Sequence, residues 1–157
     1  MNDVTLHEPE LRLPLRVYIE DTDAGGIVFY VNYLKYFERA RTEFMRRLGF
    51  SRAALPGGEF MFVVHSMDVE YLRSARLDDE LEAGARVVAA RGARLVFAQR
   101  VLRGAEEICR ARVTVACVDS ATHRPCAIPR RLREALAAVG APAQQPDTRQ
   151  QSREIPA

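Results

Sequence analysis

A chain of 157 residues that is 48% hydrophobic, 28% charged and 8% aromatic can bury one substantial core but is too short for two independent domains. Its 23 basic and 21 acidic residues leave a net charge of +2, too weak a field to point to nucleic acid, and no apolar run approaches the roughly 20 residues that span a bilayer. The start, MNDVTLHEPELRLPLR, lacks a basic-then-apolar leader, and Cys109, Cys117 and Cys126 form no CxxC pair, so the expectation is a metal-free cytoplasmic protein without a disulfide framework.

Residues 1–12 are polar and Pro-punctuated and read as an N-terminal extension. Segment 13–20 (LPLRVYIE) then alternates apolar and polar side chains as a strand does. Asp21-Thr22-Asp23-Ala24-Gly25-Gly26 is dense in turn formers and predicts a tight loop. From 30 to 48 there is no Gly or Pro, and Val31, Leu34, Phe37, Phe44, Met45 and Leu48 fall mostly at three- and four-residue steps. This predicts a long amphipathic helix, roughly 27 Å at 1.5 Å per residue, closed by Arg46, Arg47 and Gly49. After a Leu55-Pro56-Gly57-Gly58 loop the pattern turns to period two. It runs through 60–72, a stretch with Leu81, Ala83, Ala85, Val87 and Ala89 on one face, 94–103, and 108–118 with Cys109, Ala111, Val113, Val115 and Cys117 on one face. Arg91-Gly92-Ala93 and Arg103-Gly104-Ala105-Glu106 suit hairpins, so the sheet should be largely antiparallel. Segment 129–139 suits a short helix, and 140–157 reads as a disordered polar tail behind a single domain at 13–139.

The aspartate loop opens like a calcium loop, but its ninth position is Phe29 and its twelfth Asn32, where a bidentate Glu is needed. GxSxG, Walker and GxGxxG patterns are absent. His7, His65 and His123 are scattered and propose no triad. What remains is a carboxylate, Asp23, a few residues ahead of a helix N-terminus whose amides carry partial positive charge. Acyl transfer needs those two things, a base or nucleophile and a donor for the oxygen that becomes negative. Spacing alone equally allows Asp21 and Asp23 merely to fix the turn. Glu38 and Glu43 are candidate carboxylates too, although Arg41 and Arg46 or Arg47 stand at pairing distance along the helix. Arg91, Arg94, Arg100, Arg110 and Arg112 could bind phosphate or simply form a solvated strand face. Tyr18, Tyr30, Tyr33, Tyr36 and Phe37 suit core, subunit interface or an acyl tunnel.

The run Leu15-Arg16-Val17-Tyr18-Ile19-Glu20-Asp21-Thr22-Asp23-Ala24-Gly25-Gly26-Ile27-Val28-Phe29-Tyr30, with Asn32-Tyr33 and Phe37-Glu38-Arg39-Ala40-Arg41-Thr42-Glu43, resembles the YbgC (Tol-Pal-associated) acyl-CoA thioesterases of the 4-hydroxybenzoyl-CoA thioesterase-like superfamily. The resemblance extends to about Pro129. It implies an α+β hotdog fold, a long helix wrapped by an antiparallel sheet of about five strands, hydrolysing acyl-CoA to free acid and CoA. It implies Asp23 as nucleophile or general base and the Tyr30 backbone N–H as the group that polarises the thioester, with Gly26, Ile27, Val28 and Phe29 lining the substrate site and Arg91 and Arg94 as contacts for the CoA nucleotide. No cofactor is implied, since CoA is part of the substrate. The implied partners are acyl-CoA or acyl carrier protein and further copies of the chain, as dimer or tetramer, with active sites at subunit interfaces. Many YbgC members carry His where Tyr30 stands, which leaves aliphatic and aromatic acyl groups both open. A hotdog module that binds acyl-CoA, acyl carrier protein or a cell-envelope partner without hydrolysis is the alternative.

Overall fold

The computed structural model describes residues 10–50 and 59–139. Most of the N-terminal extension, the Gly/Pro loop around Pro56 and the polar tail lie outside the described residues. Five strands, β1 (Leu11–Arg16), β2 (Phe60–Tyr71), β3 (Glu80–Arg91), β4 (Arg94–Arg103) and β5 (Glu106–Asp119), form one antiparallel sheet in the order β1-β3-β4-β5-β2. Helix α1 (Tyr30–Arg47) lies across one face and α2 (Arg130–Ala138) follows the sheet. This is the α+β arrangement of a hotdog fold.

The first strand starts and stops earlier than its alternation suggests. Residues 17–20 leave it because Val17 is fully buried and the Asp21 carboxylate accepts the Tyr18 N–H at 2.9 Å, coiling Ile19–Asp21 into a 3₁₀ turn. Helix α1 ends where expected, with Gly49 at φ +90°. Its buried stripe is Tyr33, Tyr36, Phe37, Ala40, Phe44 and Met45, whereas Val31 and Leu34 are only half-buried. Phe44 meets Phe97 of β4 edge to face at 5.5 Å, joining helix to sheet at the centre of the core. Leu132 and Leu136 anchor α2, and Arg131 lies over the Phe50 ring at 5.1 Å.

The two sheet edges differ. β1 is short and carries Pro14, Arg12 and Arg16, features that discourage further pairing. β2 is 12 residues long and exposes Val63 and Val64, and its ladder shifts register between Val64 and Ser66, so that His65 is the bulged residue.

Two arginine-held carboxylates fasten the sheet. Glu10 folds over Gly84, where an added Cβ would stand 2.6 Å from its Oε2, and receives Arg100 at 2.8 and 2.9 Å and Arg12 at 2.9 Å. Asp79 receives the Arg76 N–H at 2.9 Å and Arg103 at 2.8 Å. Burial alone would raise both carboxyl pKa values, but these donors outweigh it and hold both below the ordinary range. A depressed folded-state pKa contributes stability that is present above the unfolded value, near 4, and lost as pH falls through the folded one. We therefore expect Tm to fall as pH drops from about 5 to 3. In Glu10→Gln/Asp79→Asn the neutral-pH Tm should start about 4 °C lower and decline less steeply, as read by differential scanning calorimetry. An unchanged slope would remove these two groups from the acid response.

Candidate active site

The loop between the 3₁₀ turn and α1 is a miniature hairpin. Thr22 bridges Val28, the Asp23 N–H donates to Ile27 O at 3.0 Å, and the Gly26 N–H donates to Asp23 O at 3.0 Å. Gly26 takes φ +76°, which a side chain would resist. The Val28 N–H donates to Ala75 O at 2.9 Å and Ile27 bridges Arg76, so the loop is pinned to the segment that precedes β3.

The two aspartates have different environments. Asp21 is 4% exposed; besides the Tyr18 N–H it accepts the Asn32 Nδ2–H at 2.8 Å, while its backbone O accepts the Phe29 N–H at 2.9 Å. Burial, and then the Asp21 charge, push the Tyr36 phenol well above its ordinary value. Asp21 is thus the anchor of the loop. Asp23 is exposed; its Oδ1 accepts the Gly25 N–H at 2.8 Å, and its Oδ2 accepts no hydrogen bond among the described residues. Replacing Asp21 with Ala strands two inward-facing donors, at a cost of about 3 kcal/mol, which is a Tm loss of about 9 °C by thermal shift. A loss under about 2 °C would deny Asp21 the anchoring role.

Helix α1 begins right after this hairpin. Phe29 at the N-cap position is extended and offers no side-chain cap; the Asn32 N–H donates to Phe29 O at 2.8 Å, and the Tyr30 N–H opens the helix beside the loop. Tyr30 is 60% exposed and sits in an aromatic wall, 4.9 Å from the Phe29 ring and 6.2 Å from Tyr71, whose hydroxyl donates to Tyr30 O at 3.2 Å. The Tyr33 hydroxyl accepts the Ala75 N–H at 3.0 Å, so Tyr33, Tyr36 and Phe37 are core while Tyr18 and Tyr30 are surface. Asp23, Gly26, Ile27, Val28, Phe29 and Tyr30 therefore share one corner.

Arg91 and Arg94 do not lie there within one chain. They flank the β3–β4 hairpin, a strand length away, where Arg94 Nη2 lies 3.2 Å from His65 Nε2. Arg100 pairs with Glu10 and Arg110 with Glu70, giving these two a structural use. Glu43 pairs with Arg46, but the expected Glu38–Arg41 pair is not made. Arg41 turns toward the sheet and donates to Gln99 Oε1 at 2.9 Å, and Gln99 Nε2 donates to Phe37 O at 2.9 Å. The buried Gln99 is the acceptor that draws Arg41 inward.

A cavity of about 350 Å³ that no local pattern announces opens between α1 and the β2 edge. Met45, Phe50, Phe62, Val63, Val64, Phe97 and Val115 give it an apolar wall, with Glu38, Arg41 and Thr42 along one side. A larger hollow of about 750 Å³ faces away from α1 and is lined by largely self-paired charges such as Glu10, Arg100, Glu70 and Arg110, an unsuitable surface for an acyl chain.

Comparison with known proteins bears on the family and the fold. A sequence model of the thioesterase-like superfamily matches residues 17–136. The chain is similar to the acyl-CoA thioester hydrolase YbgC of Escherichia coli O6:H1, 45% identical over 122 residues that cover 77% of this chain and 91% of the relative. It is also similar to the acyl-CoA thioesterase YbgC of Haemophilus influenzae, 42% identical over 124 residues covering 78% and 91%. Among solved structures, a probable thioesterase from Bartonella henselae superposes with TM-score 0.71 at 33% identity, covering 76% of this chain and 99% of that one. A Thermus thermophilus thioesterase complexed with coenzyme A and Zn gives TM-score 0.74 at 30% identity, covering 84% and 94%.

Proposed function

Because the chain belongs to the thioesterase-like superfamily, and within it to the YbgC acyl-CoA thioesterases, we propose that it hydrolyses acyl-CoA thioesters with Asp23 as the catalytic carboxylate and the α1 N-terminus as the oxyanion site. The observation that carries this is the pairing of an exposed carboxylate, whose Oδ2 accepts no hydrogen bond among the described residues, with a helix terminus six residues on that has no side-chain cap. The thioester carbonyl oxygen takes the Tyr30 N–H. Asp23 removes a proton from the attacking water, or attacks the carbonyl carbon itself to give an anhydride that water then opens. The tetrahedral oxyanion is held by the amide and the helix dipole, and collapse expels CoA as thiolate, which takes up the proton. No group beyond protein and water takes part, and the setting is the cytoplasm, where CoA thioesters are made.

The acyl chain belongs in the apolar cavity, but the Asp23 loop of the same chain cannot serve it. Tyr30 contacts Tyr71 at one end of β2, while the cavity borders Val63 and Val64 near the other. Val64 and Tyr71 are seven residues apart, about 23 Å along a strand. A two-fold antiparallel pairing of β2 edges centred near Met67 and Asp68 removes that distance. It lays the exposed Val63 and Val64 against Leu72 and Tyr71 of a second copy, which are exposed as well, and carries that copy's Asp23 loop to this cavity. Arg94, tied to His65 on β2, then flanks the partner's loop, with Arg91 beside it on the same hairpin, and both stand ready for CoA phosphates. The dimer is the smallest active unit.

Release of free thiol from short aliphatic, long aliphatic and aromatic acyl-CoAs, and from acyl carrier protein thioesters, tests the proposal. Turnover should concentrate on one acyl class. Tight binding of acyl-CoA or acyl carrier protein with no hydrolysis of any thioester would replace the enzyme with a binding module.

A further inference from the structure

Cys117, on β5, and Cys126, in the segment that follows, are directly opposed. Val118 bridges Pro125, the Asp119 N–H donates to Arg124 O at 2.9 Å, and the Cys126 N–H donates to Cys117 O at 3.0 Å. Residues paired in this way point to one side, with Cα atoms roughly 5.5 Å apart, inside the roughly 4.4 to 6.8 Å span that a disulfide bridges. The sulfurs stand 3.4 Å apart as free thiols. The intervening turn is already set, because the Asp119 carboxylate accepts the Ala121 and Thr122 N–H groups at 2.9 and 2.8 Å. Little rearrangement separates the two thiols from a bond.

We propose that Cys117 and Cys126 are a reversible oxidation site, closed to a disulfide by a peroxide-class oxidant and reopened by dithiols. Exposure assigns the order of events. Cys126 is half-buried and meets the oxidant; Cys117 is fully buried, and burial with the Cys126 contact pushes its thiol up to about 12. The Cys126 thiolate attacks one peroxide oxygen, the O–O bond breaks, hydroxide leaves and a sulfenic acid remains. The Cys117 sulfur then attacks the Cys126 sulfur and the S–O bond breaks. The departing hydroxide takes the Cys117 proton as water. Two thiols have lost two electrons and two protons, and with hydrogen peroxide the products are the disulfide and two waters. Cys109 stands eight residues away along β5, about 26 Å, and serves as an internal control.

The bond would staple to β5 the segment that leads into α2, whose Ile128 N–H already donates to Gly92 O at 3.0 Å on the β3–β4 hairpin. The full chain is treated with hydrogen peroxide, unfolded in guanidinium chloride, blocked with an alkylating agent and, after dilution, cut with trypsin and Asp-N without reduction. Cleavage after Arg112, before Asp119 and after Arg130 parts the two cysteines, while the Arg124-Pro125 bond resists trypsin. Peptides 113–118 and 119–130 should appear joined, 2 Da lighter than their sum, with Cys109 alkylated. Tm should rise by about 5 °C and return on addition of dithiothreitol, and Cys126→Ser should abolish link and shift together. Oxidation of Cys126 to sulfinic acid without a link, or full alkylation of all three thiols after excess peroxide, would overturn the proposal.

Discussion

Replacing Asp23 with Asn should lower kcat by about 1,000-fold while KM changes by less than about threefold and Tm by less than about 1 °C. The small structural effect follows from geometry. Asp23 is exposed, and the single hydrogen bond its side chain makes among the described residues, from the Gly25 N–H to Oδ1, can be accepted equally well by an amide oxygen. An amide lacks the charge needed to deprotonate water or to attack a thioester, so the loss should fall on the chemical step. Steady-state thiol release measures the first number, and calorimetry the last. Asp21→Asn should behave in the opposite way, with folding damaged first, because its two acceptor oxygens are both committed. If Asp23→Asn kept wild-type kcat on the best substrate, the loop would be structural and the catalytic carboxylate would have to be sought elsewhere, Glu38 at the cavity being next. Multiple turnover in ¹⁸O water separates the two roles, since a nucleophilic Asp23 whose anhydride is opened by water at the Asp23 carbonyl carries label into its own carboxylate and a general base does not.

Most of the secondary structure was legible because it depends on local pattern. Eighteen residues without Gly or Pro and a glycine at positive φ delimit α1, and two-residue turns around Gly92 and Gly104 place the β3, β4 and β5 hairpins. Legibility fails where a side chain acts over a distance. The end of β1 depends on Asp21 capturing the Tyr18 N–H, and β2 loses its period at the bulge around His65. The same holds for the site. Spacing treats Asp21 and Asp23 alike; what separates them is Asn32, eleven residues on, which claims Asp21 and leaves Asp23 in solvent. Arg41 is withdrawn from Glu38 by Gln99, 58 residues away. The cavity draws residues from Glu38 to Val115, and no window of sequence contains it.

Mixing two inactive variants should restore activity if each site is shared between copies. Asp23→Asn keeps its cavity but lacks the carboxylate; Thr42→Trp keeps the carboxylate but fills the cavity that Thr42 lines. Each homodimer is dead at both sites. In a heterodimer, the sound loop of one copy faces the sound cavity of the other, so one site works and its mate carries both defects. Refolding the variants together at equal amounts makes half the dimers mixed, with half their sites competent, so about one quarter of wild-type turnover should return from a background near zero. A site completed within one chain would gain nothing, because every chain carries a defect. Val64→Arg supplies the complementary loss. A charge at the exposed, apolar β2 edge should shift the protein toward monomer by analytical ultracentrifugation and take activity down at least about 100-fold, although Asp23, Gly25 and the α1 terminus are untouched. Full activity in a monomeric Val64→Arg protein would place the acyl chain along its own loop and aromatic wall instead, between Phe29, Tyr30 and Tyr71.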